Sequence, residues 1–107
     1  MKKISPAKDS TRNVWLQLGF ADAEEHFLKA QLVLRLDRTI ERLRLTQQEA
    51  SKRLGTSQPE LSKILGGKFS EVSLERLMRF LSALGHSVEI KVGSPRKGRK
   101  GDVTVRV

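Results

Sequence analysis

Apolar positions along the chain fall into four blocks with helical spacing, followed by stretches in which apolar and polar residues alternate. Leu28, Leu32, Leu36, Ile40 and Leu43 recur at intervals of three and four, which predicts one face of a helix over residues 23–43. Ala30, Val33 and Leu34 widen that face, and Asp22-x-x-Glu25 reads as its capped start. Leu45 leads into Thr46-Gln47-Gln48-Glu49, a capping box that opens a helix over 47–54 with Ala50 and Leu54 inward. Gly55 breaks it. Ser57-Gln58-Pro59-Glu60 has the same capping form and opens a helix over 58–65 with Leu61, Ile64 and Leu65 inward. Proline fits there because first-turn amides have no partner within the helix. Gly66-Gly67 ends that helix. Ser73 caps a last helix over 74–84, whose inner face is Leu74, Leu77, Met78, Leu81 and Leu84, and Gly85 stops it.

The period then changes from about 3.6 to 2. His86-Ser-Val88-Glu-Ile90-Lys-Val92 predicts a half-buried β-strand. A basic loop, Ser94 to Gly101, separates it from Val103-Thr-Val105-Arg-Val107, which alternates again. That last piece either pairs with 88–92 as a hairpin or is a loose terminus, because a long basic loop specifies register weakly. An isolated strand is an open edge that invites pairing with its own copy. Val88, Ile90 and Val92 are therefore the candidate dimerisation residues, in an antiparallel pairing about a two-fold axis. At the other end, Val14-Trp15-Leu16-x-Leu18-Gly19-Phe20 is a short apolar patch that packs on the domain surface or meets a partner. The reading divides the chain into a flexible polar arm (1–13), a helical domain with a terminal dimerisation strand (14–92), and a basic loop with a tail or second strand (93–107).

Composition narrows the classes of function. The chain has 107 residues, no cysteine, and 21 Lys and Arg against 12 Asp and Glu, a net charge of +9. That length suits one domain with tails. The absence of cysteine excludes disulfides and thiolate metal sites. The apolar run Leu32-Val33-Leu34 is far too short to span a bilayer, and no apolar stretch follows the basic N-terminus as a secretory leader would require. A cytoplasmic protein without cofactor, metal or membrane partner is expected. No nucleophile–base pair, ligand spacing or phosphate-cradling glycine loop is present, so no enzymatic activity is expected either. His26 stands beside Glu25 on a helix and reads as a surface residue, while His86 follows Gly85 at a helix end, where it can cap.

The positive charge points toward polyanions, and its placement sharpens the point. The two tails hold much of the excess, and the run Arg96-Lys97-Gly-Arg99-Lys100 is either a minor-groove arm or a solvated tail. Segment 42–68 carries six basic and two acidic side chains. The same segment holds two short helices joined by a glycine turn, the skeleton of a helix-turn-helix. In that skeleton Ala50 and Ser51 are small enough for a close helix crossing, Gly55 supplies positive φ in the turn, and Leu61 and Ile64 form the apolar back of the second helix. In front stand Ser57, Gln58, Ser62 and Lys63, short polar or basic residues able to reach base edges or phosphates in a major groove. Gln58 has the amide needed for bidentate pairing with adenine, and Lys63 can reach guanine or a phosphate. Lys52 and Arg53 either flank the DNA backbone or are simply solvated.

The stretch TQQEASKRLGTSQPELSKILGGK, continued by LERLMRFLSALG, resembles the DNA-binding motif of the Xre/Cro repressor family, without a gap over 46–68. More widely, 14–92 resembles small Xre-type regulators that are often antitoxins of the HigA type, encoded beside a RelE-like ribonuclease toxin. The resemblance implies a mainly α, four- to five-helix domain with a C-terminal strand. It also implies a homodimer that binds double-stranded operator DNA, represses its own operon and neutralises the toxin. The alternatives are a module whose main task is masking the toxin, through Asp22, Glu24, Glu25 and the 15–20 patch, or an Xre-type regulator with no toxin. Carried over by position, Gln47 contacts a phosphate, Ser57, Gln58, Pro59, Ser62 and Lys63 read the operator, and Lys68 contacts phosphate after the glycine pair. Pro59 departs from the pattern, since it offers only apolar contact where a hydrogen-bonding side chain is usual. Glu60 faces outward and would repel phosphate unless its capping role holds it back.

Overall fold

The computed structural model describes residues 18–106, with side chains from Ala23 onward. Four helices follow one another: α1 (Leu18–Arg42), α2 (Gln47–Leu54), α3 (Gln58–Leu65) and α4 (Leu74–Ala83). α1 packs on α4 and α3, while α2 packs on α3 and α4, so both short helices are held against a two-helix frame. One apolar cluster joins all four elements. It contains Leu32, Val33, Leu36 and Ile40 from α1, Ala50 from α2, Leu61 and Ile64 from α3, and Leu77, Phe80 and Leu81 from α4. Phe69 and Val72, from the loop before α4, and Leu84 complete it. The predicted inner faces thus form the core, with Leu54, Leu65, Leu74 and Met78 packed at its margin.

The first helix departs from its predicted limits. α1 begins at Leu18, so Asp22 and Glu25 lie inside it and do not cap its start. Glycine costs about 1 kcal/mol against alanine within a helix, which Gly19 alone does not make prohibitive among helix-forming neighbours. The helix also ends at Arg42, which leaves Leu43 beyond the apolar face and partly in solvent. Leu34 is exposed as well, being two positions from Leu32 and Leu36 and so turned off their face. Trp15 and its neighbours through Gln17 lie outside the described residues.

Among the described residues no strand forms: from His86 to Arg106 the chain runs without helix or ladder. Neither the strand over 86–92 nor, as far as Arg106, its hairpin with 103–107 is present among the described residues. An alternating pattern defines two side-chain faces, but a strand exists only when its amide and carbonyl groups find a partner, and the intervening basic loop does not bring one back. Val88, Ile90 and Val92 are exposed to 42%, 77% and 90%, while Val105 alone returns to the edge of the core.

Candidate nucleic-acid interface

The interface begins with the cap of α2. Thr46 Oγ1 accepts from the Glu49 amide at 3.0 Å, and Glu49 Oε1 accepts from the Thr46 amide at 2.8 Å, the reciprocal box predicted from the sequence. The Thr46 amide, donating to that carboxylate, together with the Thr46 side chain beside it, holds the Glu49 carboxyl below its ordinary range. Gln47, the first residue of α2, is exposed beside this cap, as are Lys52 and Arg53 in its last turn. Ala50 and Ser51 are both buried where α2 crosses α3, and the Ser51 hydroxyl is satisfied by donating to the Gln48 carbonyl at 2.8 Å. Gly55 then takes φ 73°, a left-handed conformation that costs an L side chain about 1–2 kcal/mol. The Thr56 amide donates back to the Ser51 carbonyl at 3.0 Å, which closes α2 and starts the turn.

α3 presents the polar front expected of it. Leu61 and Ile64 are buried on its inner side. Ser57, Gln58, Pro59, Ser62 and Lys63 are exposed on its outer side and N-terminal end, and Lys68 is exposed just beyond its C-terminus. The fold therefore brings the predicted reading residues to one surface, with Gln47 at the start of the preceding helix. Ser57 accepts from the Glu60 amide at 3.2 Å, so its oxygen caps α3 while its hydroxyl proton remains available to an acceptor. No residue of this surface carries an acidic group turned outward from α3, because of an arrangement the sequence did not disclose.

That arrangement corrects the second capping box. The Glu60 side chain does not return to the Ser57 amide. It accepts two bonds from Arg76 of α4, Nη1 to Oε2 at 2.7 Å and Nη2 to Oε1 at 3.1 Å, and a third from Thr56 Oγ1. Arg76 Nη2 also donates to Thr56 Oγ1 at 3.3 Å, and its guanidinium lies 5.2 Å from the Phe80 ring centroid. The Arg76 and Thr56 bonds pull the Glu60 pKa down to about 2. Arg76 lies 16 residues from Glu60, so only the tertiary fold reveals the pair. Further contacts brace the frame. Lys29 is buried and bonds the Ser70 carbonyl at 2.8 Å and Glu25 at 3.0 Å, while His26 stacks on Phe69 at 4.8 Å. His86 closes α4 through its amide, and its Nε2 lies 2.7 Å from Thr39 Oγ1, which donates to the Arg35 carbonyl.

A short crossing helix, a left-handed glycine turn and a second helix with an apolar back and a polar, basic front together define a helix-turn-helix DNA-binding domain. A family model described as a helix-turn-helix domain matches residues 14–93. The chain is also similar to a solved structure described as an XRE-family transcriptional regulator, at 38% identity and a TM-score of 0.70, over 80% of this chain and 96% of that one. The chain belongs to the XRE family of helix-turn-helix transcriptional regulators, and is a DNA-binding regulator. Among curated proteins no match is found. No helix among the described residues is long and apolar enough to cross a membrane.

Proposed function

We propose that the protein is a sequence-specific repressor that binds operator DNA in the cytoplasm as a homodimer, with α3 in the major groove. The observation that carries this reading is the shared surface of Ser57, Gln58, Ser62 and Lys63 over the buried Leu61 and Ile64. Gln58 and Lys63 read base edges, Ser62 bonds a base or phosphate, and Pro59 packs against a thymine methyl. Gln47, Ser57 and Lys68 fix the register on the phosphates, with Lys52 and Arg53 at the flank. Each phosphate neutralised steepens the salt dependence by about 0.9 in log–log slope.

One recognition helix gives too few base contacts for operator affinity. A dimer doubles them across half-sites about 34 Å apart. The exposed Val88, Ile90 and Val92, on backbone without a ladder partner in the described chain, support pairing of 86–92 with its copy, which would turn this segment into a strand. A gel-shift titration against the DNA upstream of its own coding sequence, with random duplex as competitor, tests the proposal. Preference for a two-fold-symmetric site is expected, and equal binding to random duplex would refute it.

A second role, neutralising a RelE-like ribonuclease as HigA-type antitoxins do, has separate support. Phe27 and Leu34 are 62% and 50% exposed on α1, with Glu24 and Glu25 in solvent nearby, a surface suited to a basic protein partner. Co-expression with the product of the adjacent gene tests this role. A stable complex lost in a Phe27→Asp variant is expected, and separate elution of the two proteins would exclude the role.

A further inference from the structure

The first turn of α3 carries an acid at the edge of the exposed face, where a freed carboxylate would border a DNA-reading surface. Glu60 lies within the first turn of the recognition helix, between Pro59 and Leu61, with Gln58 and Lys63 on the exposed side. Its side chain is 41% exposed, so burial does not keep its charge from solvent. A carboxylate free to swing outward here would meet DNA phosphates whenever the helix enters a groove. It does not swing outward, because both its oxygens are engaged from behind. Arg76 reaches across from α4 with two nitrogens at 2.7 and 3.1 Å, and Thr56 donates from the turn. Arg76 is in turn placed by the Phe80 ring beneath its guanidinium and by the Ser73 cap, which receives the Arg76 amide at 3.0 Å. One guanidinium thus joins the turn, the recognition helix and the closing helix.

We infer that Arg76 is a positioning residue for DNA binding: it neutralises Glu60 and holds that carboxylate off the DNA-facing surface of α3. The inference rests on the reading of α3 as the recognition helix. It differs from an ordinary stabilising role in what the neighbouring acid should do. If Arg76 only braces the fold, its loss harms binding through stability, and changing Glu60 as well cannot help. If Arg76 itself touched phosphate, changing Glu60 would not replace the lost contact. If Arg76 restrains Glu60, the harm comes from the released carboxylate and disappears when the carboxylate does. Glu60 stays ionised throughout the physiological range, because the bonds from Arg76 and Thr56 lower its pKa, and an unpartnered carboxylate there is ionised too.

The test uses Arg76→Met, Glu60→Gln and the double variant. Methionine keeps an unbranched stem over Phe80 and removes the guanidinium. Affinity is measured by fluorescence anisotropy on the duplex that the wild-type protein selects from a random pool, and on a generic duplex of equal length. Arg76→Met is expected to weaken binding about tenfold with the helical fold intact by circular dichroism. Adding Glu60→Gln is expected to restore affinity to within threefold of wild type, and Glu60→Gln alone to bind at least as well as wild type. Wild-type affinity in Arg76→Met, or a loss that Glu60→Gln does not relieve, overturns the inference. A wild-type protein that selects no site overturns the recognition reading instead, and the same relief by Glu60→Gln is then sought on the generic duplex, where its absence again overturns the role of Arg76.

Discussion

The helix-turn-helix over 46–68 and the extended segment over 86–106 are both strongly patterned in sequence, yet only the first becomes regular structure in the described chain. In the first, each local signal has its counterpart nearby. Thr46 finds Glu49 three residues on, Gly55 takes the one conformation the turn needs, and Leu61 and Ile64 meet a core already supplied by α1 and α4. In the second, the alternation of Val88, Ile90 and Val92 prepares a face but not a backbone partner. Helical hydrogen bonds close within a few residues, whereas a strand's bonds must be supplied by another segment. A pattern therefore guarantees a helix more readily than a strand.

The largest test of this contrast places the same kind of truncation in both regions. Leu61 is fully buried in α3, and Leu61→Ala should cost about 3 kcal/mol, within the range for buried leucines. Ile90 is 77% exposed, and Ile90→Ala should change monomer stability by less than about 0.5 kcal/mol. Urea unfolding at low protein concentration measures both. The Ile90 change should become costly only at concentrations where the proposed dimer forms, because association then adds to apparent stability. A large monomer effect at Ile90 would show that the segment is already structured within one chain.

A smaller effect is expected at the turn. Gly55→Ala places a β-carbon on a backbone at φ 73°, with nothing within 4 Å to clash, so strain alone acts. The cost should be about 1 kcal/mol in the same urea measurement. A neutral result would mean the turn relaxes to another conformation, which a simultaneous loss of DNA affinity would register.

What was legible in the sequence follows the same division. The α2 capping box, the Gly55 turn, the Ser73 cap and the inward leucines were all readable, since each depends on residues a few positions apart. The exposed polar positions of α3 followed from them, because a helix whose back is known has a known front. The start of α1 was misread, since Asp22-x-x-Glu25 imitates a cap where the chain simply remains helical. Glu60 was misread for a deeper reason. Its spacing from Ser57 fits a capping box, but Arg76 competes for the same carboxylate with a charged, two-pronged donor, and two bonds from a cation outweigh one from a neutral amide. Phe69, Phe80 and Lys29 carry no local signal, because the core or carbonyl partners that place them lie on other elements.

The smallest effects probe whether local closure always governs the helical half. All four helices end with the same pair of backward amide bonds, and in three of them the left-handed position is Gly55, Gly67 or Gly85. After α1 it is Arg44, at φ 57°, whose amide donates to Glu41 and whose neighbour Leu45 donates to Ile40. Arg44→Gly should therefore raise stability by about 0.5–1 kcal/mol, the reverse in sign of Gly55→Ala. Thermal unfolding of the two variants side by side gives the comparison.

Acid titration supplies the last test. Glu60 has a native pKa of about 2 against 4.5 for the unperturbed group, so the unfolded chain binds the proton first as pH falls. The contribution of the Arg76 and Thr56 bonds is then fully present above about pH 5 and is lost progressively between 4.5 and 2. Glu49 shifts in the same direction through its bonds to Thr46. Because both carboxyls are exposed, solvent screens the effect and the slope should be modest. Glu60→Gln should flatten the fall in urea midpoint between pH 5 and pH 3 without changing its onset, since Glu49 still titrates. An unchanged slope would mean that the Glu60 bonds with Arg76 and Thr56 are too loosely held in solution to depress the pKa, and Arg76 would then not restrain that carboxylate.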